Sequence, residues 1–252
     1  VMGILNATPD SFYAASRTQT EREIALRAEE ILQQGGTIID VGACSTRPDS
    51  KTATEAEEEE RLRLALKAVR NVSADAIISV DTFRPQLARM AVEEYGVAIV
   101  NDVGAPVNSS EVTVDNQKDM FRMVSRLRVP YIYMSRKSNI KDILLDSAKV
   151  VDMLRTMGQK DIIIDPGFGF GKTVEQNYEV MNGLERLQML KLPVLVALSR
   201  KSMIYRLLGT SQEEALTGTI ALNTIALMKG ADILRVHDVR EAVECVKIVN
   251  SI

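Results

Sequence analysis

Ala76-Ile77-Ile78-Ser79-Val80-Asp81-Thr82-Phe83-Arg84-Pro85 carries the reading of the fold. A short apolar run, Ala76–Asp81, ends on a carboxylate, and a proline opens the stretch after it. An apolar run of this length, bounded by polar residues, predicts a strand buried on both faces, the signature of a parallel sheet. Arg84–Tyr95 then predicts a helix. Proline is tolerated in its first turn because the N–H that proline lacks has no intrahelical partner there.

The same unit recurs in both directions. Val97–Asp102 follows, and Pro130–Ser135, Asp161–Pro166, Pro193–Ser199 and Asp232–His237 come later; Met2–Asn6 and Thr37–Gly42 precede it. Between them lie helical stretches at Thr20–Gln34, Thr54–Val72, Met120–Leu127, Ile140–Met157 and Val174–Leu190. Lys201–Leu208, Ser211–Lys229 and Arg240–Val249 complete the set. Thr20 with Glu23 predicts a capping box at a helix start, and Gly35-Gly36 a stop before the second strand. The acidic run Thr54–Glu60 predicts a solvated helix start favoured by the macrodipole. Eight strands alternating with helices fit a single (β/α)8 barrel, an α/β domain over residues 1–252. A doubly wound open sheet shares the alternation. No linker or low-complexity tract divides the chain.

Composition narrows the function classes. The 252 residues are 46% hydrophobic and 26% charged, with 14 glycines, no tryptophan and one histidine, close to an average soluble domain. A net charge of −3 and 4% aromatics give no basic field or stacking platform, so nucleic acid is not an expected partner. No apolar run approaches the ~18 residues of a membrane span. Cys44 and Cys245 match no metal or redox spacing and predict free thiols in a reducing compartment. The opening residues Val1–Asn6 lack the basic segment of a secretion signal, so the expected location is cytoplasmic.

In either α/β architecture ligands bind at the C-terminal strand ends. Those ends carry Asn6, Asp40, Ser45-Thr46-Arg47, Asp81, Asn101-Asp102, Asp165, Ser199-Arg200-Lys201-Ser202, Arg235 and His237. Any one of the Asp or Asn residues also suits a helix cap; as a set they predict a binding site. Asp81, Asn101 and Asp165 offer acceptors to a ligand edge rich in N–H groups. Lys201, Arg235 and His237 come from the last two strands, where barrels often bind phosphate. The implied ligand is a donor-rich heterocycle joined to a phosphate or pyrophosphate. Pro166–Thr173 ends like a Walker A loop, but proline stands in place of its first glycine. Its glycines predict close backbone approach at the barrel mouth instead. Without a second histidine or a cysteine cluster, a zinc site is not expected.

These residues also carry a family resemblance. Asn6-Ala7-Thr8-Pro9-Asp10-Ser11-Phe12, Ser45-Thr46-Arg47-Pro48, Ser79-Val80-Asp81-Thr82 and Asn101-Asp102-Val103 resemble the motifs of the dihydropteroate synthase family. So do Asp165–Thr173, Ser199-Arg200-Lys201-Ser202 and Arg235-Val236-His237-Asp238, in the family's order. The resemblance spans essentially the whole chain. It implies a (β/α)8 barrel that joins 6-hydroxymethyl-7,8-dihydropterin diphosphate to 4-aminobenzoate in folate biosynthesis, releasing pyrophosphate. It further implies a sulfonamide target and a homodimer through outer helices.

By that resemblance, Asp81, Asn101, Asp165 and Lys201 hold the pterin. Arg235 and His237 hold the diphosphate, with Asn6 acting through Mg2+. Asp10 and Phe12 belong to a first closing loop, and Thr46 and Arg47 to a second. Phe168, Lys201 and Ser202 help form the aminobenzoate pocket, and Asp10, Arg47 and Lys201 are the implied catalytic residues. The chain departs from the family at Gly42-Ala43-Cys44, where many members read Gly-Gly-Glu, and at Tyr13-Ala14-Ala15. It departs again at Tyr133-Met134-Ser135-Arg136-Lys137, in place of the usual Met-His-Met-x-Gly. A methyl-transfer enzyme acting on methyltetrahydrofolate would share the barrel and the pterin acceptors but would not need the basic set; a non-enzymatic pterin-binding relative is the third alternative.

Overall fold

In the computed structural model, residues 1–7, 17–44, 52–104 and 114–252 are described. Strands and helices alternate as β1 (Met2–Asn6), α1 (Arg17–Gln33), β2 (Ile38–Gly42), α2 (Glu55–Val72), β3 (Ile77–Asp81), α3 (Pro85–Tyr95) and β4 (Ile99–Asp102). The second half continues α4 (Val114–Leu127), β5 (Tyr131–Met134), α5 (Ile140–Thr156), β6 (Ile162–Asp165) and α6 (Val174–Asn182). After α6 come a 3-10 segment (Leu184–Leu190), β7 (Leu195–Val196), α7 (Ser202–Leu208), α8 (Leu216–Met228), β8 (Ile233–Val236) and α9 (Val239–Val249).

All pairings are parallel, in the order β6-β5-β4-β3-β2-β1-β8-β7. The two ends of that order meet through a parallel bridge between Ile164 and Val194, with the Ile164 N–H donating to the Pro193 carbonyl at 2.9 Å. The sheet therefore curls into the expected barrel rather than an open doubly wound sheet. The β7 ladder is much shorter than the run Pro193–Ser199 suggests. Proline cannot donate to it, and the chain beyond Val196 turns into the left-handed backbone of Arg200 (φ 54°).

Alternation along the strands divides the apolar residues into two cores. Ile39, Val41, Ile78, Val80 and Val100 face outward and pack with the helices in the main core. Met2, Ile99, Ile132, Ile163, Leu195 and Ala197 form a second cluster inside the barrel. Above that plug the inward positions turn polar: Asp40, Ser79, Asn101 and Asp165 are all buried. The apolar floor is what positions the site, because it fills the barrel below and leaves polar chemistry only at the mouth.

Several helix boundaries differ from the sequence reading. Helix α1 begins at Arg17, so Thr20 lies in its first turns and does not cap it. Once nucleated, a helix gains one hydrogen bond per added residue and extends through such a signal. A capping box does form at Thr54 and Glu57, at the head of α2. The stretch Val174–Leu190 is not one helix; it breaks at Gly183, where an added Cβ would lie 3.2 Å from the Ile140 side chain. Nor is the acidic run of α2 wholly solvated, since Glu58 is fully buried.

Candidate active site

At the barrel mouth Arg235 of β8 reaches across the interior to two carboxylates. Its Nε donates to Asp40 Oδ2 at 2.6 Å and its Nη2 to Asp81 Oδ2 at 2.6 Å. Asp40 is wholly buried, whereas the Asp81 side chain keeps 18% of its surface open. Parallel register sets this ring: Asp40 is aligned with Ser79, and Asp81 with both Gly42 and Asn101. Asn101 Nδ2 donates to Asp40 at 3.2 Å. Among the described residues its buried Oδ1 has no partner, and the Ser79 hydroxyl is in the same condition. Burial pushes the Asp81 carboxyl up, against the pull of Arg235.

Asp165, at the end of β6, stands on the opposite side. Its Oδ1 accepts the Gly167 N–H at 2.7 Å, and burial raises its pKa despite the nearby Lys201 and Lys172. Gly167 has φ +70°, and a Cβ there would lie 2.3 Å from the Ser135 carbonyl oxygen. Gly169 has φ +82°, and a Cβ there would lie 2.9 Å from Lys201 Cδ. These two glycines do what the sequence reading asks of them: they let backbone approach where any side chain would collide.

Lys201 donates to the Phe168 carbonyl and sits 4.6 Å from the centre of the Phe170 ring. Burial lowers its pKa to about 8, as it does for Lys172, which donates to the Gly167 carbonyl at 2.7 Å. The turn that delivers Lys201 is pinned by its neighbour. Arg200 pairs twice with Asp238, at 2.9 and 3.0 Å, and its N–H donates to Thr219 at 3.0 Å. Those contacts hold a non-glycine residue at positive φ, a conformation that costs on the order of 1–3 kcal/mol. Ser202 follows, half-buried at the first position of α7.

His237 lies just past β8, with Nδ1 3.2 Å from Ser199 Oγ. Burial, then Arg235, lowers its pKa to about 4. It is therefore a neutral hydrogen-bonding group at pH 7, and the cations of the basic set are Lys201 and Arg235. Phe168 is packed in the main core and contributes its carbonyl, while the ring facing Lys201 belongs to Phe170. Asn6 ends β1, partly exposed. Asp10, Phe12, Thr46 and Arg47 lie outside the described residues.

Arg235 is shared between the acceptor set and the basic set. Its Nε and Nη2 donate to carboxylates, while Nη1 has no partner among the described residues and can donate to an anion. Asp40, Lys172 and Phe170 are site residues to which the sequence reading gave no role. The arrangement pairs unsatisfied acceptors with two buried cations, so it can take a flat donor-rich ring on one side and an anion on the other.

The family described as pterin binding enzyme matches residues 2–237. A dihydropteroate synthase of Clostridium beijerinckii is 38% identical, covering 100% of this chain and 93% of its own length. A dihydropteroate synthase structure from Clostridium difficile, obtained in the presence of pteroic acid, superposes with a TM-score of 0.89 at 33% identity. That match covers 99% of this chain and 95% of the other. The Xanthomonas albilineans dihydropteroate synthase with 4-aminobenzoic acid superposes with a TM-score of 0.88 at 30% identity, over 99% and 91% of the two chains.

Proposed function

The chain belongs to the family of pterin-binding enzymes, its activity is that of a dihydropteroate synthase, and from that premise we propose a role for each group at the barrel mouth. The reaction joins 6-hydroxymethyl-7,8-dihydropterin diphosphate to 4-aminobenzoate, giving 7,8-dihydropteroate and pyrophosphate. The observation that carries the assignment is the unfinished hydrogen bonding of the ring: the buried Asn101 Oδ1 has no donor among the described residues. A pterin supplies donors through its amino group and ring N–H groups. Asp81, Asn101 and Asp165 accept them, and Lys201 closes the same pocket.

Breaking the C–O bond sends an electron pair to the departing pyrophosphate and leaves positive charge on the pterin methylene. The electron-rich ring delocalises that charge. Arg235 Nη1 and neutral His237 are placed to hydrogen-bond the leaving oxygens, the interaction that strengthens as charge develops. The amine of 4-aminobenzoate, lodged by Phe168, Lys201 and Ser202, forms the new C–N bond and then sheds a proton. No covalent nucleophile is required. By the family resemblance, Asp10 stabilises the cation and Arg47 joins Lys201 in catalysis, with Phe12 and Thr46 contributing to substrate binding.

Mg2+ fits the donor set. Among the described residues no group of three or more His, Cys, Asp or Glu forms a cage. The ion is commonly held by one or two protein oxygens together with substrate phosphates and water. Asn6 would supply the protein oxygen, and the bound ion would neutralise diphosphate charge. Among the described residues no helix is long and apolar enough to cross a membrane. Cys44 and Cys245 are thiols rather than disulfide partners, which fits work in the cytoplasm. Leu207, Leu208, Ile225, Met228 and Ile248 leave exposed apolar surface on α7, α8 and α9, suited to a homodimer. Sulfonamides, as 4-aminobenzoate mimics, would compete for its pocket.

The test is pyrophosphate release with the pterin diphosphate, Mg2+ and 4-aminobenzoate, each omitted in turn. Release that needs all three and yields dihydropteroate is expected. Release without 4-aminobenzoate, or none with the full set, would contradict the assignment.

A further inference from the structure

We propose that Asp40 is a positioning residue: it fixes the hydrogen-bonding sense of Asn101, so that Asn101 Oδ1 becomes the acceptor that reads a donor on the pterin edge. The proposal rests on the functional reading above and deepens it. Asp40 lies wholly buried beneath the ring and touches both of its neighbours across the barrel. Arg235 Nε donates to its Oδ2 at 2.6 Å, and Asn101 Nδ2 lies 3.2 Å from Oδ2 and 3.4 Å from Oδ1.

A side-chain amide has a donating end and an accepting end of nearly equal size, so its neighbours decide which way it faces. A carboxylate has only acceptors to offer. Beside Asp40, Asn101 must therefore turn its Nδ2 inward, which leaves Oδ1 as the open end. That oxygen is indeed buried, with no partner among the described residues. Arg235 reinforces the choice, because its charge holds the Asp40 carboxylate in place from the other side. An unpaired buried acceptor is costly until a donor arrives. The ring therefore selects a ligand that brings an N–H to this point and penalises one that brings a lone pair.

Exchanging Asp40 for its amide isostere inverts that logic. In Asp40→Asn the single oxygen stays with the guanidinium, where the bond is charge-assisted. The new NH2 then faces Asn101 and turns the Asn101 oxygen toward itself, presenting an NH2 group to the pterin. The double exchange Asp40→Asn with Asn101→Asp restores an acceptor at position 101 within the same volume.

The experiment measures calorimetric binding of diphosphate-free 6-hydroxymethyl-7,8-dihydropterin to wild type, Asp40→Asn and the double variant, with steady-state KM values for both substrates. Asp40→Asn should bind the pterin at least about tenfold more weakly, the loss expected when a buried group is left mispaired. Its KM for the pterin diphosphate should rise, while that for 4-aminobenzoate stays within about threefold, a change smaller than the loss from a buried group left unpaired. The double variant should recover most of the lost affinity, which a merely structural role for Asp40 would not produce. Pterin affinity of Asp40→Asn within about threefold of wild type, equal rises in both KM values, or a double variant no better than the single would each overturn the proposal. Should Asp40→Asn fail to fold, the double variant is compared with wild type directly, and a loss of about tenfold or more overturns it. Absence of pterin binding by wild type would instead remove the functional reading itself.

Discussion

Two buried arginine–carboxylate clusters lie on either side of β3, and they are finished to different degrees. Behind the strand, Arg84 pairs with Glu58 of α2, with the two side chains only 4% and 0% exposed. Arg84 also donates to the Ala53 carbonyl at 2.8 Å, and Thr82 donates to Glu58 Oε1 at 2.7 Å. The Phe83 ring lies 4.8 Å from the Arg84 guanidinium carbon. That cluster is satisfied by the protein alone. At the mouth, Arg235 is paired with both Asp40 and Asp81, yet among the described residues Asn101 Oδ1 and the Ser79 hydroxyl have no partner. Burial of charge is common to both, so burial does not mark function. The unfilled hydrogen-bonding capacity does: one cluster ties Thr82 and Arg84, just past the end of β3, to α2, and the other waits for a ligand to complete it.

The largest effect expected from breaking the comparison is on stability. Glu58→Ala removes the buried carboxylate that pairs with Arg84 and accepts from Thr82, and should cost about 3–5 kcal/mol. A denaturant titration reads that loss directly; a change below about 1 kcal/mol, the size of an exposed pair, would show that the cluster is not the buried structural pair described. Next comes Asp165→Ala, which should weaken binding of the diphosphate-free pterin by about 1–3 kcal/mol, on the order of 10- to 100-fold. Calorimetric titration checks it, and unchanged affinity would remove Asp165 from the pterin set.

The smallest expected effect sharpens the division by pH. Lys201 titrates near 8 because burial disfavours its charge. Binding of the pterin diphosphate should weaken as pH rises through about 8, and Lys201→Arg, which stays protonated, should flatten that limb to what Lys172 alone contributes. Stability runs the other way. Between about 8 and 10.5 the unfolded chain holds the Lys201 proton more tightly than the folded one, so this residue's contribution to stability rises with pH. A wild-type pH profile flat from 7 to 9 would contradict the assignment of Lys201.

Much of this was legible before any coordinates. The strands could be read because both faces of a parallel barrel strand are apolar, and the mouth because polar residues end those runs. Asp40 could not be assigned a partner, since Arg235 lies 195 positions away and only barrel closure brings them together. Glu58 was hidden by its acidic neighbours, although a signal existed. It lies four residues before Leu62, on the stripe that continues through Leu66 and Val69, and all four are buried. A carboxylate in register with an apolar stripe is a buried carboxylate, and it requires a cation that local sequence does not reveal. In the sequence His237 reads as part of the basic set with Lys201 and Arg235, because residue type alone does not show the burial that keeps it neutral. The expectations for Asp10, Phe12, Thr46 and Arg47 concern residues outside those described.

The most direct test of the contrast between the two clusters is a thermal-unfolding titration with diphosphate-free 6-hydroxymethyl-7,8-dihydropterin on Glu58→Ala and Asp165→Ala. A ligand that binds only the folded state raises the melting temperature according to its affinity, so one experiment reads both stability and binding. Glu58→Ala should melt roughly 6–20 °C lower, at about 2–4 °C per kcal/mol for a domain approaching this size, and keep the ligand-induced rise. Asp165→Ala should melt within a few degrees of wild type and lose most of that rise. The same pattern in both variants, whether shared destabilisation or shared loss of the ligand response, would contradict the separation of a finished cluster from one that the ligand completes.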